Sequence, residues 1–200
     1  MLTLVIDQAD IAQFLPFGKC VFCKEAYYPE IYAFAATMLA KTRPMKHADF
    51  MKMAIELSRS GMNANEGGPF GAIVVKDDKV IGRGNNKVTS SCDPTAHAEV
   101  VAIRDACTTL GSFQLDGCTL YTSCEPCPMC LGAIYWARPD KVFYANTKQD
   151  AADIDFDDDF IYKEIELPLQ SRKIPFVQLG REDAQSVFKA WRDKADKLGY

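Results

Sequence analysis

At 200 residues, 48% hydrophobic and 25% charged, the chain has the composition of an ordinary folded protein able to bury a sizeable core. Lys and Arg total 23 against 27 Asp and Glu, a formal net charge of -4. That is a poor surface for gripping a phosphate backbone, and it fits a small, weakly charged substrate better.

The first residues, MLTLVIDQADIAQFL, carry Asp7 and Asp10 where a secretory signal would place Lys or Arg. No stretch reaches the roughly 18 apolar residues of a membrane span, so a cytoplasmic location is expected. In a reducing compartment the eight cysteines are expected as thiols or metal ligands rather than disulfides.

Residues 1–44 hold one apolar helical pattern, Ile31, Phe34, Ala35, Met38 and Leu39, and end in Thr42-Arg43-Pro44, a natural boundary. From Met45 a mixed α/β domain spanning 45–200 is expected. It opens with a helix whose apolar face is Phe50, Met51, Ala54, Ile55 and Leu57 and which stops at Gly61. After Gly67-Gly68-Pro69, two short apolar runs, 72–75 and 79–82, flank Asp77-Asp78 and read as a β-hairpin. A polar loop follows over 85–92.

Asp93-Pro94-Thr95 offers a helix start, which would set His97 and Glu99 in a first turn of a helix running to Gly111. Residues 118–122 read as a buried strand. Pro126 and Pro128 then mark the entry to a second helix, begun by Cys127 and Cys130 and ending before Pro139. Residues 141–145 predict another strand, 174–177 an edge strand because of Pro175, and 182–198 a terminal amphipathic helix. The acidic run Asp153, Asp155, Asp157, Asp158 and Asp159 reads as a solvated loop. Strands and helices alternating in this way imply a central sheet with helices on its faces.

Cys127 and Cys130 at i, i+3 share one helical face and can converge on one zinc ion. With only two histidines in the chain, His97 is the natural third ligand. Three protein ligands leave the fourth tetrahedral position to a water whose pKa falls to about 7, the mark of a catalytic rather than a structural site. Replacing an amino group on an aromatic ring by oxygen needs that nucleophile and a group that carries its proton, and Glu99 can be that shuttle. One difficulty is geometric: side chains two apart on a regular helix point roughly 200° away from each other. The competing reading is a closed Cys3His site including Cys124, which would leave Glu99 without a role. Cys92, Cys107 and Cys118 read as packing, Cys20-Val21-Phe22-Cys23 as a pair without partners, and His47 as a surface residue.

His97-Ala98-Glu99 followed by Pro126-Cys127-Pro128-Met129-Cys130 matches the zinc deaminase signature. Together with Gly67-Gly68-Pro69-Phe70-Gly71, Asp93-Pro94-Thr95-Ala96, Leu131-Gly132-Ala133-Ile134-Tyr135-Trp136-Ala137-Arg138-Pro139 and Gly199-Tyr200, it makes residues 45–200 resemble the bacterial guanine deaminases of the cytidine deaminase-like superfamily. The resemblance implies a three-layer αβα sandwich around a mixed five-stranded sheet. It implies one zinc per subunit on His97, Cys127 and Cys130, with Glu99 as proton shuttle and Asp158 as a second acid group. Asn86, Phe70, Ala98, Trp136 and Tyr200 are the implied substrate contacts, although Trp136 reads equally as packing. A homodimer is implied in which a C-terminal segment is exchanged, so that Tyr200 closes the partner's pocket.

The resemblance starts at Met45-Lys46-His47, leaving 1–44 either as an added helix over 31–40 or as residues upstream of the true start. The implied reaction is hydrolysis of guanine to xanthine and ammonia in purine catabolism or salvage. Deamination of guanosine or another nucleoside, deamination of transfer RNA adenosine, and a structural zinc module without turnover are the competing readings.

Overall fold

The computed structural model describes residues 45–199. The helix expected over 31–40, the Cys20 and Cys23 pair and Tyr200 lie outside the described residues.

Helix α1 (His47–Asn63) lays Phe50 and Ala54 against the sheet. Strands β1 (Gly71–Lys76) and β2 (Lys79–Asn85) form the expected hairpin, and Asp77 and Asp78 both take positive φ in its two-residue turn. Positive φ at both central residues keeps the turn in step with the right-handed twist of the strands. Strand β3 (Thr119–Cys124) pairs antiparallel with β1, and β4 (Lys141–Asn146) pairs parallel with β3, so the order is β2-β1-β3-β4.

The sheet is covered on both faces: side chains alternate along a strand, yet β1 and β3 are buried almost without a break. Ile73, Val75 and Tyr121 meet Phe50 and Ala54 of α1 on one face. On the other, Ala72, Val74 and Leu120 pack with helix α3 (Ala98–Leu110) through Ala98, Ala102 and Ala106, and with helix α4 (Pro128–Ala137) through Ile134 and Ala137. Alanines on α3 face glycines on β2, so the two backbones nearly touch. A Cβ on Gly84 would lie 2.2 Å from the Ala98 carbonyl oxygen. This close approach fixes the start of α3 beside the end of the sheet.

Four expectations are corrected. The sheet among the described residues has four strands, not five, because 174–177 forms no strand: Pro175 lacks an N–H to donate, and Ile174 and Val177 are exposed with no strand beside them. The polar loop over 85–92 contains a one-turn helix, α2 (Val88–Ser91), whose residues are poor helix formers. Glu66 holds it, its carbonyl accepting from Ser90 N and Thr89 Oγ1.

Helix α3 starts at Ala98 rather than at Asp93-Pro94-Thr95. The Asp93 carboxylate takes both the N–H and the hydroxyl of Thr95, closing a local turn instead of capping a helix. Beyond β4 come α5 (Lys148–Ala152), α6 (Asp159–Glu166), a short 3-10 turn (Leu169–Ser171) and α7 (Arg181–Asp193). Helix α7 stops at Asp193, short of the expected 198, where Lys194 turns to extended backbone (φ -67°, ψ 118°). No helix among the described residues is long and apolar enough to cross a membrane.

Candidate active site

Both segments that carry the expected metal ligands are helix starts. His97 is the N-cap of α3 (φ -68°, ψ 154°) and Cys127 the N-cap of α4 (φ -65°, ψ 168°), each on extended backbone. Pro128, at the first helical position, has the φ a helix needs and no N–H to waste. Cys130 then stands at the third helical position, and an N-cap side chain and the N3 residue lie close together, as in a capping box. The result is a convergence of three donors: His97 Nδ1 lies 3.5 Å from Cys127 Sγ and 3.5 Å from Cys130 Sγ. Among the described residues these three form the group able to hold a metal ion.

The donor set fits zinc. With Zn–S near 2.3 Å and Zn–N near 2.0–2.1 Å at tetrahedral angles, a nitrogen and a sulfur donor would stand about 3.6 Å apart. Electrostatics agree. The Cys130 thiol and His97 beside it hold the Cys127 thiol at about 4, far below its ordinary value, while sharing with Cys127 pushes Cys130 upward. His97 is raised, chiefly by its bond to Cys127. The positive ends of α3 and α4 favour the same ionised sulfur.

Cys124 does not join them. Its buried thiol points to the Thr147 carbonyl oxygen at 3.5 Å, and burial pushes it up to about 11. The three-donor set therefore leaves one tetrahedral position for a small molecule, which favours a catalytic over a closed site.

Glu99, at the second helical position of α3, is only 6% exposed. Its Oε1 accepts from Thr122 Oγ1 at 3.0 Å, and its Oε2 lies 3.4 Å from Cys130 Sγ. Burial pushes its carboxyl above the usual range. The geometric difficulty of the i, i+2 spacing disappears because His97 is not helical: its extended backbone turns the ring toward the sulfurs while Glu99 starts the helix.

A cavity of about 420 Å³ opens on this cluster, lined by His97, Glu99 and Cys127 together with Asn86, Phe70 and Asp158. Asn86 is 5% exposed, and its amide oxygen accepts from Gly68 N at 3.3 Å and Val88 N at 3.1 Å. What it retains for a ligand is its donating amide nitrogen. Gly67 presses on the same residue, and a Cβ there would lie 2.2 Å from Asn86 Oδ1.

Asp158, the residue preceding α6, is half-buried, and burial raises its carboxyl, with the charge on Cys127 adding to the effect. Asp155, Asp157 and Asp158 of the acidic run all line the cavity, and Asp157 Oδ1 also accepts from Asp159 N at the start of α6. Ala98 and Trp136 do not line the cavity. Ala98 is sealed in the core, and Trp136, 63% exposed, lies on the outer face of α4. His47 is away from the cavity, sharing a 2.6 Å hydrogen bond with the Tyr121 hydroxyl.

Two residues of the site escape a reading of the sequence. Phe156 meets the Phe70 ring edge-on, centroids 4.9 Å apart, and lines the cavity from within the acidic segment. Thr122, buried on β3, reaches Glu99. For Thr122 the available signal was its place in the buried strand over 118–122; for Phe156 there was none.

The pattern of the cytidine and deoxycytidylate deaminase zinc-binding region matches residues 44–146. The chain is 60% identical over 156 residues to the guanine deaminase of Bacillus subtilis (strain 168), 78% of this chain and 100% of that one. The X-ray structure of the Bacillus subtilis guanine deaminase superimposes with a TM-score of 0.76, covering 78% of this chain and 99% of that chain at 60% identity. A tRNA-specific adenosine deaminase of Aquifex aeolicus (strain VF5) is 41% identical over 96 residues, 48% of this chain and 63% of its own length.

Proposed function

This chain belongs to the cytidine and deoxycytidylate deaminase zinc-binding family, and from that premise we propose that it hydrolyses guanine to xanthine and ammonia. The observation that carries the reading is a single cavity lined by His97 and Cys127 of the zinc-binding trio together with Glu99, Asn86 and Asp158.

Zinc is the cofactor, which His97, Cys127 and Cys130 would hold; bound there it would supply Lewis acidity and a water acidified toward neutral pH. The chain's own residues do the rest. Glu99, its carboxyl raised by burial, takes a proton from the attacking water and delivers it to a ring nitrogen. As the carbon–nitrogen bond breaks, Glu99 takes the remaining proton from the oxygen now bonded to the ring carbon and passes it to the amino group, which leaves as ammonia. Asn86 donates to the oxygen or ring nitrogen on the far edge of the purine. Asp158 holds the amino side, and Phe70 with Phe156 walls the ring.

The match to a tRNA-specific adenosine deaminase raises a second reading. The cavity rim opposes it: Glu125, Asp155, Asp157 and Asp158 outnumber Lys148 there, a field that repels phosphates. Ammonia release from guanine, guanosine, adenine, cytosine, cytidine and transfer RNA, run in parallel, tests both. Release from guanine alone supports the proposal, and release only from transfer RNA overturns it.

The same reading includes a homodimer that exchanges its C-terminal segment, with the protein acting in the cytoplasm. Ile174, Phe176, Val177, Leu179, Val187 and Phe188 are all exposed in the single chain, apolar side chains that a partner subunit could cover. Sedimentation at micromolar concentration should give twice the chain mass, and a monomer would exclude the exchange.

A further inference from the structure

Thr122 and Glu99 are a polar pair nearly withdrawn from water, 1% and 6% exposed, joined by the 3.0 Å bond from the Thr122 hydroxyl to Glu99 Oε1. Thr122 is held on both sides in the sheet, opposite Ala72 on β1 and Tyr144 on β4. Its β-branched side chain has little rotational freedom there. Glu99, by contrast, sits in the first turn of α3 with three side-chain torsions to fix. Its other oxygen, Oε2, lies on the side of Cys130 Sγ, toward the metal ligands.

We propose that Thr122 is the positioning residue of the reaction: its hydroxyl anchors Oε1, sets the rotation of the Glu99 carboxylate, and makes Oε2 the oxygen that moves protons. The proposal deepens the deaminase reading and rests on it. The first proton passes from the attacking water to Oε2 and on to the ring nitrogen. The second passes from the oxygen newly bonded to the ring carbon, by way of Oε2, to the amino group that leaves as ammonia. The Thr122 proton stays on Oγ1 throughout. A valine of the same shape would fill the space and leave Oε1 buried without its donor.

The test compares Thr122→Val and Thr122→Ser in the zinc-loaded protein. With valine, kcat falls about 10- to 100-fold, the cost of a misaligned catalytic group, while KM stays within about twofold and zinc remains stoichiometric. Serine, which keeps the hydroxyl, returns kcat to within about threefold of wild type.

A second readout needs no turnover. In zinc-free protein, Thr122→Val, Glu99→Ala and the double variant form an unfolding cycle, in which the two changes are non-additive by about tenfold in the unfolding equilibrium constant. Unchanged kcat in folded, zinc-loaded Thr122→Val, failure of serine to rescue, or an additive cycle overturns the proposal. Should the valine protein not fold, Thr122→Ala takes its place in both measurements. A wild type inactive on guanine would refute the substrate reading, while the cycle would still decide the Thr122–Glu99 link.

Discussion

Glu99→Gln separates chemistry from architecture. Glutamine has the same shape and keeps an oxygen for Thr122, and its amide nitrogen would stand near Cys130 Sγ, 3.4 Å from Oε2 in the wild type. An amide can still donate there, so the metal site persists and only proton transfer is lost. A positioned acid–base group contributes about 10²–10⁴ in rate, roughly 2.7–5.4 kcal/mol of barrier. Turnover should fall by that factor with zinc content unchanged.

The same substitution should stabilise the zinc-free protein. Burial raises the folded carboxyl above its unfolded value, so the folded state holds that proton more tightly. Stability is therefore lost as pH rises from the unfolded carboxyl range through the folded value, and above the folded value the penalty is complete. Glutamine carries no such penalty. Urea midpoints of zinc-free protein should be higher for Glu99→Gln than for wild type at pH 8, with the gap closing as pH is lowered toward 5. Turnover within about tenfold of wild type at full zinc, or a lower midpoint at pH 8, would refute the reasoning.

Three further outcomes follow from the geometry. Cys127→Ala should abolish stoichiometric zinc and activity together, and zinc should raise the melting temperature of wild type but not of the variant. Both are read by metal analysis and thermal scans. Asp158→Asn should lower kcat/KM roughly 10- to 150-fold, the loss of one charge-assisted hydrogen bond. Asp157→Asn, which touches the α6 backbone rather than the reacting group, should stay within about threefold. Gly67→Ala would drive a methyl to 2.2 Å from Asn86 Oδ1, so it should destabilise by about 1–3 kcal/mol in urea and raise KM. A silent variant would mean that Asn86 is not held as described.

The metal ligands were legible in the sequence because ligand chemistry restricts residue type and spacing so severely: few arrangements other than a metal site explain His97 with Cys127 and Cys130. The hairpin and the two faces of the sheet were legible because Asp77-Asp78 and the run over 72–75 are local signals. Other features depend on distant groups. Helix α2 exists because the Glu66 carbonyl accepts from Ser90 N and Thr89 Oγ1, which no local propensity contains. Phe156 sits among aspartates and reads as loop until Phe70 is seen beside it. The fifth strand was expected from β-prone residues at 174–177, but a strand needs a neighbour, and none lies against this segment in the single chain.

The i, i+2 spacing of His97 and Glu99 shows how a local rule can mislead when applied one residue too far. On a continuous helix the two would diverge, and the motif would make poor chemical sense. Asp93 consumes the donors of Thr95 and leaves Ala96 and His97 outside the helix. His97 is then aimed by extended backbone and Glu99 by helical backbone, two independent settings separated by a single residue. Cys127 and Cys130 repeat the device at the start of α4, with Pro128 fixing the change of conformation. A helix start supplies both requirements of the site at once: an abrupt change in side-chain direction that gathers donors from neighbouring positions, and a positive end that favours ionised sulfur. A mid-helix pair would offer neither, so the position of the motif relative to the helix boundary is part of its chemistry.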